Sequence, residues 1–251
     1  MLFRTLLFLS FASVALAASP LTDHDPELVK TRELLVANQE LSIAMTMADL
    51  SAARAINSAL SPQQLAHWKR LQSDLAEQRP NEARRRTIFD YEKQLALTPL
   101  QVSSLRHQIE SLNKLLEESR TRMSANLAEI RNLHPDLGLT EQAQLPRPST
   151  LVTREKELAL SGSQVSFAKQ VNDRLAGLTE ECRRRVAANA ETLRPLLAND
   201  APLEHIKPFV RADAEVVTEL TLASFRSSLS LHEKLNPKQR EDWHISELTN
   251  R

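Results

Sequence analysis

The segment Leu97-Thr98-Pro99-Leu100-Gln101-Val102-Ser103-Ser104-Leu105 opens the most regular stretch of this chain. From Val102 onward, Leu105, Ile109, Leu112, Leu116, Ser119, Met123, Asn126, Ile130 and Leu133 follow at alternating steps of three and four residues, a heptad seam of about 4.5 repeats. Only a helix brings residues so spaced to one side, so the pattern predicts one long helix packed against others. Ser119 and Asn126 place polar groups in that seam, which reads as fraying toward solvent rather than as a register device.

Composition extends the helical reading to the whole chain. Its only glycines are Gly138, Gly162 and Gly177. Tight hairpins need glycine at positive φ and long helices are harmed by it, so the scarcity predicts an all-α fold. After the first residues the aromatics are only Trp68, Phe89, Tyr91, Phe167, Phe209, Phe225 and Trp243. Long antiparallel helical hairpins, filled with Leu, Ile, Val and Ala, fit that better than a thick core.

Upstream of the seam, Asp25 as N-cap and Pro26 as first helical residue start a helix that reaches about Ala59. Leu28, Leu34, Leu41, Met45, Ala48, Ala52, Ala55 and Ala59 share one side of it. A second helix begins at Ser61 and fades by Arg79-Pro80, and a further helical segment is expected over 82–95. Downstream, 134–150 holds three prolines and Gly138 without a period and reads as a linker. Beyond it a helix from Ser161 to about Leu197 turns Ala168, Val171, Leu175, Leu178, Cys182, Val186 and Leu193 inward. Asn199-Asp200-Ala201-Pro202 ends that helix and caps the next, which carries Leu203, Ile206, Val210, Val217, Leu220 and Leu231 with a bend expected at Pro208. A last helix from Asn236 contains Trp243.

Met1-Leu2-Phe3-Arg4, an apolar run to Val14 and Ala15-Leu16-Ala17 form a basic start, a short hydrophobic core and a small-x-small cleavage site. Residues 1–17 therefore read as a signal peptide, with a bacterial periplasm as the expected destination. No later stretch approaches the roughly 20 apolar residues of a membrane span. Lys plus Arg and Asp plus Glu both number 32, so there is no basic footprint for nucleic acid. Cys182 is the sole cysteine, which excludes an intramolecular disulfide and reads as a small hydrophobe on a helix stripe.

Four segments repeat one device: Leu60-Ser61-Pro62-Gln63-Gln64, Leu97-Thr98-Pro99-Leu100-Gln101, Leu160-Ser161-Gly162-Ser163-Gln164 and Leu235-Asn236-Pro237-Lys238-Gln239. Ser61, Thr98, Ser161 and Asn236 are N-caps, and Gln64, Gln101, Gln164 and Gln239 stand at N3, where a glutamine reaches back to the cap's amide. The leucine at N′ can close on N4 as a hydrophobic staple. N4 is Leu65, Val102 and Val165 in the first three copies and Arg240 in the last. Trp68 and Trp243 each follow their motif leucine at the same distance.

This leucine, cap, two variable positions and glutamine resembles the signature of the Spy and CpxP family of periplasmic stress proteins, whose relatives include metal-responsive members such as ZraP and CnrX. Leu97 to Gln101 matches the leucine-threonine-x-x-glutamine form fully; the others carry Ser or Asn as cap. The resemblance implies a complete family-like unit over 151–251 and a rearranged one over 25–133, whose second half precedes its first. It implies two such units in tandem in an elongated or cradle-like shape, acting as a monomeric pseudo-dimer or as a homodimer. The expected activity is ATP-independent binding of unfolded or partly folded client proteins. The alternative is a regulatory partner of a sensor kinase's periplasmic domain, and a third reading is periplasmic metal sensing.

No catalytic group is expected. The sequence lacks a Gly-rich phosphate loop, a Gly-x-Ser-x-Gly elbow and a Cys-x-x-Cys pair. His24, His67, His107, His134, His205, His232 and His244 form no ligand set at helical spacing, so no metal or other cofactor is expected, and His232 and His244 read as solvated surface. Arg84-Arg85-Arg86 and Arg183-Arg184-Arg185 read as solvated helix faces, or as a basic patch for acidic clients.

Overall fold

The structure, a computed structural model, describes residues 25–78, 87–137, 139 and 148–249. The signal segment 1–17 and the Arg84-Arg85-Arg86 run lie outside the described residues. The fold is all-α. Seven α-helices are described: α1 (Pro26–Ala59), α2 (Pro62–Gln78), α3 (Pro99–Leu133), α4 (Pro148–Thr153), α5 (Gly162–Ala198), α6 (Leu203–Lys234) and α7 (Pro237–Thr249), with 3-10 helices at Ile88–Tyr91 and Pro135–Leu137. Among the described residues there is no strand, and no helix is long and apolar enough to cross a membrane.

The chain forms two compact units. One comprises residues 44–119, the other 25–43 with the chain from Arg120 onward. Helices α1 and α3 contribute to both, changing unit after Ile43 and after Ser119.

In the 44–119 unit, Leu60, Trp68, Ile88, Leu95 and Leu105 are buried together, flanked by Ile56, Leu65, Leu71, Tyr91, Leu97 and Ile109. Trp68 meets the edge of Tyr91 at 5.8 Å between ring centres. A buried tryptophan withdraws on the order of 150–250 Å² from water, about 4–6 kcal/mol before ordering costs. One expectation is corrected here. Of the segment read as a helix over 82–95, the described part is a 3-10 turn over Ile88–Tyr91 and one further turn that stops at Ala96. Asp90 folds back on Thr87, accepting its amide at 2.6 Å, which suits a short turn. The chain is then reversed by Ala96 at φ 49°, where the Leu97 amide bonds Glu92 O and the Ala96 amide bonds Lys93 O. That pair of bonds is a Schellman ending, and it aims the chain into α3.

In the other unit, α1 starts as read, with Asp25 Oδ1 accepting the Glu27 amide at 3.0 Å. Its inward residues here are Leu28, Thr31, Leu34, Leu35, Asn38, Gln39 and Ile43, so the stripe carries three polar groups. The polar seam positions of α3 are also corrected. Ser119 is buried, in the 44–119 unit, and Asn126 donates its side-chain amide to Asn38 Oδ1 at 2.8 Å rather than fraying into solvent. This bond across the α1–α3 seam gives the buried Asn38 oxygen a donor, which lets polar groups stay there.

Helices α5 and α6 pack antiparallel, since Asn189 bonds Asp213 and Arg185 bonds Glu219. Asp200, at φ 48°, closes α5 with a second Schellman pair, Ala201 N to Leu196 O and Asp200 N to Leu197 O. Pro202 then caps α6 without a side-chain bond, and α6 continues through Pro208 to Lys234. From Ala223 to His232, α6 is buried or half-buried on every side. Phe225 packs against Leu34, Leu35, Ile130 and Leu137. Val216, Leu220 and Leu231 pack with Val171, Leu175 and Cys182 of α5, Leu151 of α4, Leu158, Leu235 and Trp243 of α7. Small serines let neighbours approach, and their hydroxyls bond back into the helix, as Ser224 does to Leu220 O at 2.9 Å.

The stretch read as a linker holds His134 and Leu137, both buried, and the first turn of helix α4; residues 138 and 140–147 lie outside the described residues. His232, read as solvated, is buried because α6 is enclosed here.

Candidate functional site

The four leucine-cap-glutamine segments form two matched pairs. Locally each is a reciprocal capping box. Ser61, Thr98, Ser161 and Asn236 accept the N3 amides of Gln64, Gln101, Gln164 and Gln239 at 3.2, 3.2, 3.3 and 2.9 Å. Each glutamine Oε1 accepts the cap's own amide at 2.9, 2.9, 2.8 and 3.0 Å in the same order. These bonds span three residues of one chain, so the local sequence suffices to make them.

The other half of each glutamine is used across the unit. Gln101 Nε2 donates to Ala59 O, the last carbonyl of α1, at 2.7 Å and to Gln64 Oε1 at 2.9 Å. Gln64 Nε2 donates to Leu95 O and Ala96 O at 3.0 and 3.1 Å, the carbonyls left over by the Schellman turn before α3. The second pair repeats this atom for atom. Gln164 Nε2 donates to Lys234 O, the last carbonyl of α6, at 2.6 Å and to Gln239 Oε1 at 3.0 Å. Gln239 Nε2 donates to Leu158 O and Ala159 O, both at 3.2 Å. Each side-chain amide thus has its two hydrogens placed, and the oxygens of Gln64 and Gln239 each accept twice. Every glutamine caps the start of its own helix and the end of its partner's preceding turn or helix, satisfying carbonyls that a helix end leaves orphaned.

The leucines seal these clamps. Leu60 and Leu235 are buried, while Leu97 and Leu160 pack half-buried at the edges of the two cores. Where the fourth copy has Arg240 at N4 in place of an apolar staple, its Nε donates to Leu235 O at 2.9 Å. Trp68 and Trp243 are both buried, at 5% and 0% exposure, one in each core.

The chain order of the pairs is opposite. In the 44–119 unit the copy that follows a long helix, at Leu60, comes first. In the other unit the copy that opens a long helix, at Leu160, comes first. A signal for this was present before the second and third motifs, where Glu92-Lys93-Gln94-Leu95-Ala96-Leu97 and Glu155-Lys156-Glu157-Leu158-Ala159-Leu160 repeat one phrase. Both phrases make the same turn. Leu160 N bonds Glu155 O and Ala159 N bonds Lys156 O, and Ala159 sits at φ 47° beside 49° for Ala96.

No group of three or more His, Cys, Asp or Glu is placed to hold a metal among the described residues. Cys182 is buried, and that burial pushes its thiol pKa up. Arg183 pairs with Glu180, and Arg185 donates to Glu219 at 2.7 Å, so much of that arginine run is engaged along the helix surface. Asp213 is buried on α6 and accepts from Asn189 Nδ2 at 2.7 Å; burial raises its carboxyl pKa and the Asn189 bond partly offsets this.

Compared with family models, with curated proteins and with solved structures, the chain matches none.

Proposed function

We propose that this chain is an exported, ATP-independent holding protein or stress adaptor of the periplasm that binds unfolded or partly folded proteins. Its likeness to the Spy and CpxP family rests on the four leucine-cap-glutamine motifs. The observation that carries the reading is how those motifs are spent: their polar atoms are consumed in capping and clamping. The motifs are therefore scaffolding, and what is left to meet a partner is the surface of the long helices. That surface mixes charge with apolar side chains, among them Val29, Val36 and Leu100, the last 84% exposed. Such a mixture suits weak, sequence-tolerant holding of an unfolded chain. The test is aggregation of a heat-unfolded model client followed by light scattering. Near-equimolar protein suppresses the signal; no suppression at several-fold excess overturns the reading.

The equal count of acidic and basic residues favours a second reading. A chain with no net charge has little long-range attraction for clients, so a shape-specific partner such as the periplasmic domain of a sensor kinase fits as well. Co-purification with one stoichiometric partner, rather than with a spread of clients, decides for it.

A further inference from the structure

His134 follows the last residue of α3 and its side chain is 1% exposed. Its amide bonds Ile130 O and Arg131 O, and its carbonyl accepts from Leu137, so backbone holds it at the junction of α3 and the 3-10 turn. The ring lies 5.5 Å from that of Phe225 on α6. Its Nε2 stands 2.7 Å from Oγ1 of Thr31 on α1, a residue with no exposed surface. Glu27 Oε2 is 3.9 Å from Nδ1. Its backbone therefore joins α3 to the 3-10 turn while its imidazole meets α1 and α6, all within a single unit.

We propose that His134 is a proton-operated latch: neutral, it fastens the first turns of α1 onto the end of α3 and α6, and protonated, it lets them loosen. In the neutral ring Nδ1 carries the hydrogen toward Glu27, and Nε2 accepts from the Thr31 hydroxyl. A proton added at Nε2 turns that acceptor into a donor, so Thr31 must swing its hydrogen away while a cation is left in a dry site. The charged groups that bear on the ring are Glu27, in the first turn of α1, and Asp25, the residue that caps it. They favour the cation, but Glu27 is largely solvated and lies beyond hydrogen-bond reach. From α6 the ring meets the apolar Phe225. Burial is the largest influence, and it lowers the pKa below the ordinary 6.5. The unfolded or opened segment therefore binds the proton more readily than the closed one. The latch is fully closed above the ordinary histidine range and weakens as pH falls through it.

Hydrogen exchange of the full chain, corrected for intrinsic rates, tests this at about pH 7.5 and about pH 5.5, on either side of the histidine range. In the wild type, exchange over 26–38 rises several-fold at the lower pH while 162–198 is unchanged. In a Thr31→Val/His134→Phe variant, which fills the same space without a titrating group, exchange over 26–38 is the same at both pH values. The same rise in the variant, or no rise in the wild type, overturns the proposal. If the variant does not fold, an NMR titration of His134 in the wild type decides: a pKa below 6.5 supports the latch, and one at or above 6.5 overturns it.

Discussion

Gln164 donates its side-chain amide to Gln239 Oε1 at 3.0 Å, and the same nitrogen reaches the last carbonyl of α6 at 2.6 Å. Two residues far apart in the chain thereby join the start of α5, the end of α6 and the start of α7 at one point. Gln101 and Gln64 do the same at the end of α1 and the start of α3.

Because the pair is wired in series, its loss is not the sum of single losses. Gln164→Ala removes the donor to Lys234 O and to Gln239 Oε1 at a point that water partly reaches, at a cost of about 0.5–1.5 kcal/mol. Gln239→Ala strips Leu158 O and Ala159 O and costs a similar amount. A double-mutant cycle by urea unfolding should return a coupling of about 0.5–3 kcal/mol, and additive losses would show that the contact carries no energy.

The two alanines at positive φ offer a gain. A left-handed conformation costs a residue with a Cβ about 1–2 kcal/mol, and glycine's looser unfolded chain takes back about 0.4–1. Both methyls are exposed, so little packing is lost. Ala96→Gly and Ala159→Gly should each stabilise the protein by about 0.5–1 kcal/mol, with Ala→Val at the same sites destabilising. A lower denaturation midpoint in the glycine variants would contradict the assigned turns.

The Asn38–Asn126 bond predicts a sign change between single and double variants. Asn126→Leu alone leaves the buried Asn38 Oδ1 without its donor and should cost about 1–3 kcal/mol. Asn38→Leu together with Asn126→Leu removes both polar groups and should restore stability to the wild-type level or above, as apolar seams do. Calorimetry of the three proteins checks it.

Asp213 makes stability depend on pH in a stated direction. Its folded pKa is raised above the ordinary 3.8 by burial, so the native state holds the proton more tightly than the unfolded one. Stability from this group is therefore lost as pH rises through the folded pKa, and its ionised form is a burden at neutral pH. Asp213→Asn, whose side-chain oxygen can still accept from Asn189, should raise stability near neutrality, with the gain shrinking as pH is lowered toward 3.8. A gain independent of pH would assign the effect to something other than charge.

What the sequence by itself determined is everything that acts over a few residues. The glycine count and the Val102–Leu133 seam decide that the chain is helical, and a cap with its N3 glutamine decides where helices begin, because both bonds close within one turn. Ser61, Thr98, Ser161 and Asn236 start helices for that local reason, and Asp25 starts α1 through its own short bond to the Glu27 amide. The segment before Leu97 was less legible, since apolar spacing there does not reveal that Ala96 adopts a left-handed conformation. Only the tertiary structure decided that Gln64 meets Gln101 and Gln164 meets Gln239, that Asn126 finds Asn38, and that His134 and His232 are buried. A side-chain amide's second half, or a histidine's second nitrogen, is satisfied by whatever the folded chain brings within 3 Å, and no spacing along the sequence encodes that partner.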